Sequence, residues 1–171
     1  MKAVIVCGDR HGRFSDWLPL MRRELNAFRD GEHCLVLHGD QHGVDKIASY
    51  LCRSDPDHFA ESPFPISKDW WRSNGRSSGP IRNEFMAFVL KSYQYAGADA
   101  KVFAFHSNYA DKSRGTRNML TIAKKVGLPY ELFESTHVTR QLAQLELAGI
   151  GARSVALANS GIAGGDSGPT F

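Results

Sequence analysis

"KAVIVCG", residues 2–8, is a short apolar run that ends in a glycine. Its valines and isoleucine are β-branched and favour a buried strand, and the glycine favours a tight turn after it. Two further runs, "HCLVLHG" at 33–39 and "KVFAFH" at 101–106, have the same apolar character. The segments that follow them carry apolar residues at helical spacing. The first strand thus opens a chain in which strands and helices alternate.

The whole pattern predicts a fold class. The predicted elements are strands at 2–8, 33–39, 58–65, 101–106 and 130–134, and helices at 15–28, 43–53, 78–95 and 117–126. Strands that alternate with helices through short turns predict a parallel sheet covered on both faces. We therefore expect an α/β fold, a Rossmann-like doubly wound, mostly parallel five-stranded sheet with helices on both faces. Such sheets bind ligands at the carboxyl ends of their strands, where the strand order reverses.

Capping residues and periodicity give finer expectations for the helices. Ser15 or Asp16 is the candidate N-cap of the first helix, and Gly31 its stop. Pro80 is expected at the first position of the third helix, where proline is pre-organised. The stripes expected to face the core are Trp17, Leu18, Met21, Leu25 and Phe28 in the first helix, and Ile81, Phe85, Phe88, Val89 and Ser92 in the third.

The composition is that of an ordinary globular domain. Of the 171 residues, 42% are hydrophobic and 23% are charged. No apolar run approaches the roughly 18 residues that span a bilayer, so we expect no membrane partner, and a strand rather than a signal peptide at the start. The three cysteines are odd in number and lack C-x-x-C spacing. They are expected to be buried reduced thiols of a cytoplasmic protein.

The character of the chain changes near Thr136. Residues 1–135 form the predicted ligand-binding domain, and residues 136–171 form a separate C-terminal region. In that region "THVTRQLAQLELAG" is expected to form one more helix. The Gly, Ala and Ser-rich remainder has few large side chains to bury. It is expected to be a tail, either flexible or ordered only against another subunit.

A helix start rich in arginine is the first candidate binding element. In "SRGTRNMLTIAKKVG" (113–127), Gly115 and Thr116 stand at the beginning of a helix beside Arg114 and Arg117. Backbone amides at a helix N-terminus, together with the positive end of the helix dipole, favour an anion. The alternative is a common helix cap with solvated surface arginines.

The turn after the first strand is the second element. In "CGDRHGR" (7–13), Gly8 and Arg10 are placed to approach a phosphate. Asp9 would repel a phosphate but would accept hydrogen bonds from ribose hydroxyls. The alternative is an ordinary polar turn.

The turn after the second strand is the third element. In "LHGDQHGVDKIA" (37–48), Gly39 allows a tight turn, and Asp45 is expected to be a structural cap in the first turn of a helix. The two histidines of this segment and Asp40 resemble metal ligands in type. No further His or Cys cluster completes a site, so we predict no metal.

"DWWRSNGRSSGPIRNEFM" (69–86) is the most informative segment. A serine-glycine loop leads into a helix whose first turn carries Arg82. An arginine there can reach over the sheet edge and bind a phosphate bidentately. Trp70 and Trp71 are expected to close a core, the alternative being that one of them stacks on a base. The full set of expected ligand-binding residues is Gly8, Asp9, Arg10, His38, Gly39, Gly79, Arg82, Asn83, Arg114, Gly115 and Thr116.

Four segments together resemble a known group. "GDR" after the first strand, "HGDQHGVDKIA", "DWWRSNGRSSGPIRNEFM" and "RGTRNMLTIAKKVGLP" occur in the order and spacing of the YspA-like, cpYpsA-related branch of the SLOG superfamily, often labelled a domain of unknown function. The resemblance spans residues 3–133. It implies a Rossmann-like fold that recognises nucleotides, nucleotide sugars or nucleotide-derived signals. It also implies a homo-oligomer, since relatives with this sheet often pair through helices.

The wider superfamily includes the lonely-guy phosphoribohydrolases, which release a base from a nucleoside monophosphate. Gly115 with Thr116, and Arg82 with Met86, are similar to two elements of that group. Met119, however, stands where those enzymes have a glutamate that serves the reaction. A methionine cannot act as a general acid or base, so its presence argues against the same hydrolysis.

The leading hypothesis is a module that binds a nucleotide-derived small molecule, as a sensor or sequestering protein without a cofactor. One alternative is a nucleotide N-glycoside hydrolase or transferase, with Asp9 as acid or nucleophile and Arg82 holding the phosphate. The other is single-strand nucleic-acid binding, which the modest net charge of +3 argues against. Whether the chain is an enzyme stays open at this point.

Overall fold

The fold was taken from a computed structural model that describes residues 1–109 and 113–134. Its elements are β1 (Lys2–Gly8), α1 (Phe14–Arg29), β2 (Cys34–His38), α2 (Val44–Ser54), β3 (Phe59–Pro63), α3 (Lys68–Asn74), a 3-10 turn (Gly75–Ser77), α4 (Ser78–Tyr95), β4 (Asp99–His106), α5 (Arg114–Val126) and β5 (Tyr130–Glu134). The five predicted strands and four predicted helices are present. The helix and tail expected after Thr136 lie outside the described residues.

The strands form one parallel sheet in the order β3-β2-β1-β4-β5. This confirms the α/β class and the doubly wound, Rossmann-like arrangement. The chain moves outward from β1 to β3 and then crosses to β4 on the other side of β1. The strand order therefore reverses between β1 and β4, which is where ligands bind in such sheets.

Helices cover both faces of the sheet. α1 and α2 pack together on one face, where Trp17 contacts Phe105 and Phe28 contacts Phe103 edge to face. α4 and α5 pack together on the other face, over a core that includes Ile5. The continuous burial of β1 between two helical layers explains why its sequence is apolar without alternation. None of the helices in the described residues combines the length and hydropathy needed to cross a bilayer.

The predicted core stripe of α4 is wrong. Phe85 and Phe88 are exposed, the latter by 69%, as are Ile81 and Ser92, and Val89 is only half-buried. The buried face is Ser78, Arg82, Asn83, Met86, Ala87 and Leu90. Two stripes offset by one residue both fit helical spacing, and the large apolar side chains favoured the incorrect one. The homo-oligomer stays a prediction.

Several finer expectations about the helices also fail. α1 begins at Phe14 with Arg13 as its N-cap, so neither Ser15 nor Asp16 caps it. In its stripe Leu18 and Phe28 are only half-buried, while Leu20 is buried. Pro80 is the third residue of α4 rather than the first. α5 begins three residues earlier than expected, which places Gly115 and Thr116 inside its first turn.

The helix α3 was not predicted at all. Its N-cap is Ser67, whose side chain accepts a hydrogen bond from the Trp70 amide over 3.0 Å. Ser67 is the one residue in this part of the sequence that indicates the start of a helix, because serine is a favoured N-cap. None of its residues is buried, so its sequence has no apolar stripe that would predict a helix.

The junction between β1 and β4 admits no side chain at residue 8. A Cβ there would lie 2.0 Å from the Phe105 carbonyl oxygen and 2.9 Å from a methyl carbon of Val44. We expect Gly8→Ala to lower the free energy of unfolding by about 3 kcal/mol, since both neighbours belong to packed elements. Gly79→Ala is the control, because no atom lies within 4 Å of its added Cβ. Equal stability of the two variants in urea titrations would contradict this packing.

Candidate functional site

Three adjoining cavities open at the carboxyl ends of β1, β2 and β4. The central pit, of about 50 Å³, is lined by Gly8, Arg10, Gly39, Arg82, Gly115 and Thr116, with others. The outer basin, of about 800 Å³, extends from it toward α3. The polar basin, of about 760 Å³, lies between the turns after β1 and β4. Arg10 and Gly115 line all three, so the cavities share one set of walls.

Arg82 forms the floor between the pit and the outer basin. Its side chain is only 8% exposed, yet it makes no hydrogen bond to a carboxylate. Nη1 donates to the Gly39 carbonyl over 2.8 Å, Nη2 lies 3.4 Å from Asn83 Oδ1, and Nε has no partner. Burial lowers the pKa of Arg82, with Asp45 opposing the shift. A guanidinium remains charged at physiological pH, so the site holds a buried cation with an unused N–H group.

Glycine at position 39 is what lets this guanidinium lie where it does. A Cβ at residue 39 would lie 2.4 Å from the Cζ atom of Arg82. The turn after β2 therefore packs its bare backbone against the guanidinium plane. The carbonyl of Gly39 in turn accepts one of the five N–H groups of Arg82.

Asn83 connects the beginnings of α4 and α5. Its Nδ2 donates to the Gly115 carbonyl over 3.3 Å and to Asn118 Oδ1 over 2.9 Å. This holds the first turn of α5 beside Arg82. The N-cap of α5, Ser113, makes no side-chain capping bond, and the first amides of any helix lack partners within it. The pit thus faces a helix N-terminus with its positive dipole end.

The turn after β1 is clamped onto the start of α2. The Asp9 carbonyl accepts hydrogen bonds from the amides of Gly12 and Val44. Gly43 has φ +75°, and a Cβ there would lie 2.1 Å from the Asp9 carbonyl oxygen. Because only glycine fits that approach, the turn holds Arg10 over the pit in a fixed backbone position.

The Asp9 carboxylate lines the polar basin and is ionised. Its Oδ1 accepts the His11 amide over 2.8 Å, and its Oδ2 accepts the Ser107 hydroxyl. Partial burial by itself raises the pKa of Asp9, but these hydrogen bonds and the nearby His106 and His11 outweigh it and hold the pKa below its usual range. An ionised Asp9 suits acceptance of hydroxyl hydrogen bonds and does not suit the role of general acid.

His106 ends β4 on the wall of the same basin. Its Nδ1 accepts the Asn108 amide over 3.1 Å, so in the neutral ring the proton sits on Nε2. Burial lowers the pKa of His106 although Asp9 and Glu134 raise it. With Ser107 and Thr116, the basin offers neutral and anionic groups that hydrogen-bond to hydroxyls.

Asp45 does not cap α2 as expected, because the N-cap is Gly43 and no side-chain capping bond is present. It holds the turn before the helix instead. It is buried in the first turn of α2, where its Oδ2 accepts the Gln41 amide over 3.1 Å. Burial raises the pKa of Asp45, while the Gln41 amide and Arg82 oppose the shift. Its carboxyl group also lines the pit, beside Arg82.

His38 is the expected ligand residue that lies away from the cavities. Its ring is completely buried, with Nε2 3.0 Å from Glu61 Oε1 and Nδ1 accepting the Asp40 amide over 3.1 Å. Both ring nitrogens are therefore used within the protein. Arg53 also binds Glu61, over 3.0 Å. His38 holds the turn that contains Gly39 and supports Arg82 indirectly.

The other expected residues line at least one of the three cavities. These are Gly8, Asp9, Arg10, Gly39, Gly79, Arg82, Asn83, Arg114, Gly115 and Thr116. The expectation that the tryptophans close a core is wrong for Trp71, which is 54% exposed and lines the outer basin; Trp70 is half-buried. Residues missed from the sequence are Gln41, Lys68, Arg72, Arg76, His106, Ser107 and Asn118, several of which depend on the unpredicted α3.

No protein-family model matches the chain, and a search of curated proteins finds no match. The resemblance to the YspA-like branch therefore stays a prediction. Within residues 1–109 and 113–134, no three His, Cys, Asp or Glu side chains are grouped so that they could hold a metal ion. All three cysteines are free thiols; Cys34 and Cys52 are buried and Cys7 is half-buried.

The neighbourhood of Asp9 and His106 can be tested by titration. We expect the pKa of His106 to lie below 6.5, and Asp9→Asn to lower it further, because the Asp9 charge favours the protonated ring. NMR titration of the ring protons measures this directly. Asp16→Asn, which removes an exposed carboxylate of α1, is the control and should leave His106 unchanged. A His106 pKa that rises in Asp9→Asn would contradict the geometry.

Proposed function

We propose that this chain binds a nucleotide or nucleotide-derived small molecule, with one phosphate in the central pit. The observation that carries the proposal is the Arg82 guanidinium, which is buried, charged, free of any bound carboxylate and left with an unused Nε–H. A buried cation in that state is stabilised by an anion that accepts its remaining N–H groups. Arg10 and the N-terminus of α5 converge on the same pit.

The charge of the pit fits an anion in spite of Asp45. Two arginines and one carboxylate line the pit, so it is net positive even with Asp45 ionised, and Asp45 Oδ2 is already occupied by the Gln41 amide. The positive charges of Arg10 and Arg82, which both line the pit, repel a cation and attract an anion. A phosphate therefore meets a net positive surface.

The neighbouring basins fit the rest of a nucleotide. The outer basin, about 800 Å³, lies within the range of small-molecule sites and presents Trp71 and Ile66 as apolar surfaces for a base. The polar basin presents Asp9, Ser107 and Thr116 to ribose hydroxyls. The resemblance of the sequence motifs to the YspA-like branch, which implies nucleotide recognition, also supports this assignment.

Calorimetric titration with AMP, ADP, ADP-ribose, NAD and cyclic AMP tests the proposal. We expect at least one to bind with Kd below roughly 100 μM, and Arg82→Gln to weaken it by about 10- to 100-fold, since a charge-assisted hydrogen bond is worth about 1.5–3 kcal/mol. Arg23→Gln, which removes an exposed arginine of α1, should bind as the parent does. Silence across the whole panel would overturn the proposal.

N-glycoside hydrolysis is the second candidate, because an ionised Asp9 lies in a basin that shares Arg10 and Gly115 with the pit. Against it, Met119 stands where the phosphoribohydrolases have a glutamate, so this position has no carboxylate. Met119 is also completely buried in the core and does not face a ligand. We expect no release of free base from nucleoside monophosphates above the buffer rate, measured by chromatography. Base release that disappears in Asp9→Asn would replace binding by catalysis.

A further inference from the structure

We propose that the outer basin is a second anion subsite, and that the ligand is a nucleotide with at least two phosphates. This inference rests on the proposed function and specifies its ligand class. The subsite is the wall built by α3 and the 3-10 turn, namely Lys68, Trp71, Arg72 and Arg76.

The charge of the outer basin is one-sided. Among the described residues, no carboxylate lines it. The cationic side chains that line it are Arg10, Lys68, Arg72, Arg76, Arg82 and Arg114. Like charges gathered around one concave surface repel each other and raise the local concentration of anions. A surface of this kind is stabilised by a ligand that brings several negative charges.

The cations of this basin have few acidic partners. Some basic side chains elsewhere form ion pairs, as in Lys2–Asp99, Arg53–Glu61 and Lys101–Glu131. In the part of the chain that the structure describes, Lys68 and Arg76 form none. Arg72 pairs with Asp69 over 3.0 Å, but both side chains are more than three-quarters exposed, where such a pair contributes little.

One phosphate cannot satisfy both groups of cations. The central pit is the smallest of the three cavities, about 50 Å³, and Arg10 and Arg82 line it. Lys68, Arg72 and Arg76 line the outer basin and not the pit, and they belong to α3 and the 3-10 turn. An anionic group further along the ligand, as the phosphate chain of a nucleoside diphosphate provides, would reach this second set.

Trp71 adds an aromatic surface to this wall. It is 54% exposed and lies one helical turn after Lys68, beside Arg72. An exposed tryptophan among cations in a cavity is suited to stacking on a base, which every nucleotide provides. Binding of the ligand to this wall should therefore change the tryptophan fluorescence.

The experiment compares AMP with ADP, and phosphate with pyrophosphate, by calorimetry at constant ionic strength. We expect ADP to bind at least tenfold more tightly than AMP, and pyrophosphate more tightly than phosphate. The double variant Arg72→Gln/Arg76→Gln should bring ADP to the affinity of AMP and weaken AMP itself far less than ADP. The matched control Arg22→Gln/Arg23→Gln removes two exposed arginines from α1 and should change neither. Trp71→Phe should abolish the fluorescence change that ADP causes.

The possible outcomes separate the two proposals. Equal affinities for AMP and ADP, unaffected by the α3 variant, would overturn the second subsite and leave the proposed function standing. Loss of AMP binding in the α3 variant would also overturn it, since the two anion positions would then not be separate. Tighter binding of a single-stranded oligonucleotide than of ADP, with a steep salt dependence, would assign the wall to nucleic acid instead. Absence of binding to the whole nucleotide panel would overturn the proposed function itself.

Discussion

The burial of one guanidinium determines how the candidate site is built. Arg82 enters the sheet edge from α4, and the residues around it accommodate a charged plane that is only 8% exposed. Residue 39 has no side chain because the guanidinium occupies that volume, and its carbonyl accepts one N–H group. A buried guanidinium whose Nε has no hydrogen-bond partner is costly, and an anion that accepts this group would offset the cost. This constraint links the packing of the fold to its function.

Hydrogen bonds in the turn after β2 and at the beginning of α5 hold the surroundings of that guanidinium in place. On the β2 side, His38 accepts the Asp40 amide and contacts Glu61 of β3, which fixes the turn against which Arg82 lies. On the α5 side, Asn83 donates to the Gly115 carbonyl, which fixes the helix N-terminus. The two turns are separated by more than seventy residues in the sequence, yet both touch neighbouring residues of one helix. A displacement of the first turn of α4 would therefore disturb both walls of the pit together.

The sequence was sufficient for the sheet and for most of the pit, and the reasons for its failures are physical. The apolar runs of β1, β2 and β4 identify buried parallel strands, and topology then brings their turns to one edge without any knowledge of contacts. The face of α4 was misjudged because Phe85 and Phe88 outweigh Met86 and Ala87 in hydrophobicity, whereas the burial of Arg82 is decided by a tertiary contact with Gly39. α3 was missed because it buries no residue and so leaves no periodic signal.

The two carboxylates of the site have structural roles in the turns that carry them. Asp9 and Asp45 line adjoining cavities, and the protein lowers the pKa of the first and raises that of the second. Such a divergence marks an acid and a base in many enzymes. Here each shift has a structural cause, because Asp9 is held by Ser107 and the His11 amide, and Asp45 is buried with its Oδ2 on the Gln41 amide. Both carboxylates therefore shape turns, and the turn that contains Asp9 also carries Arg10, which lines the pit.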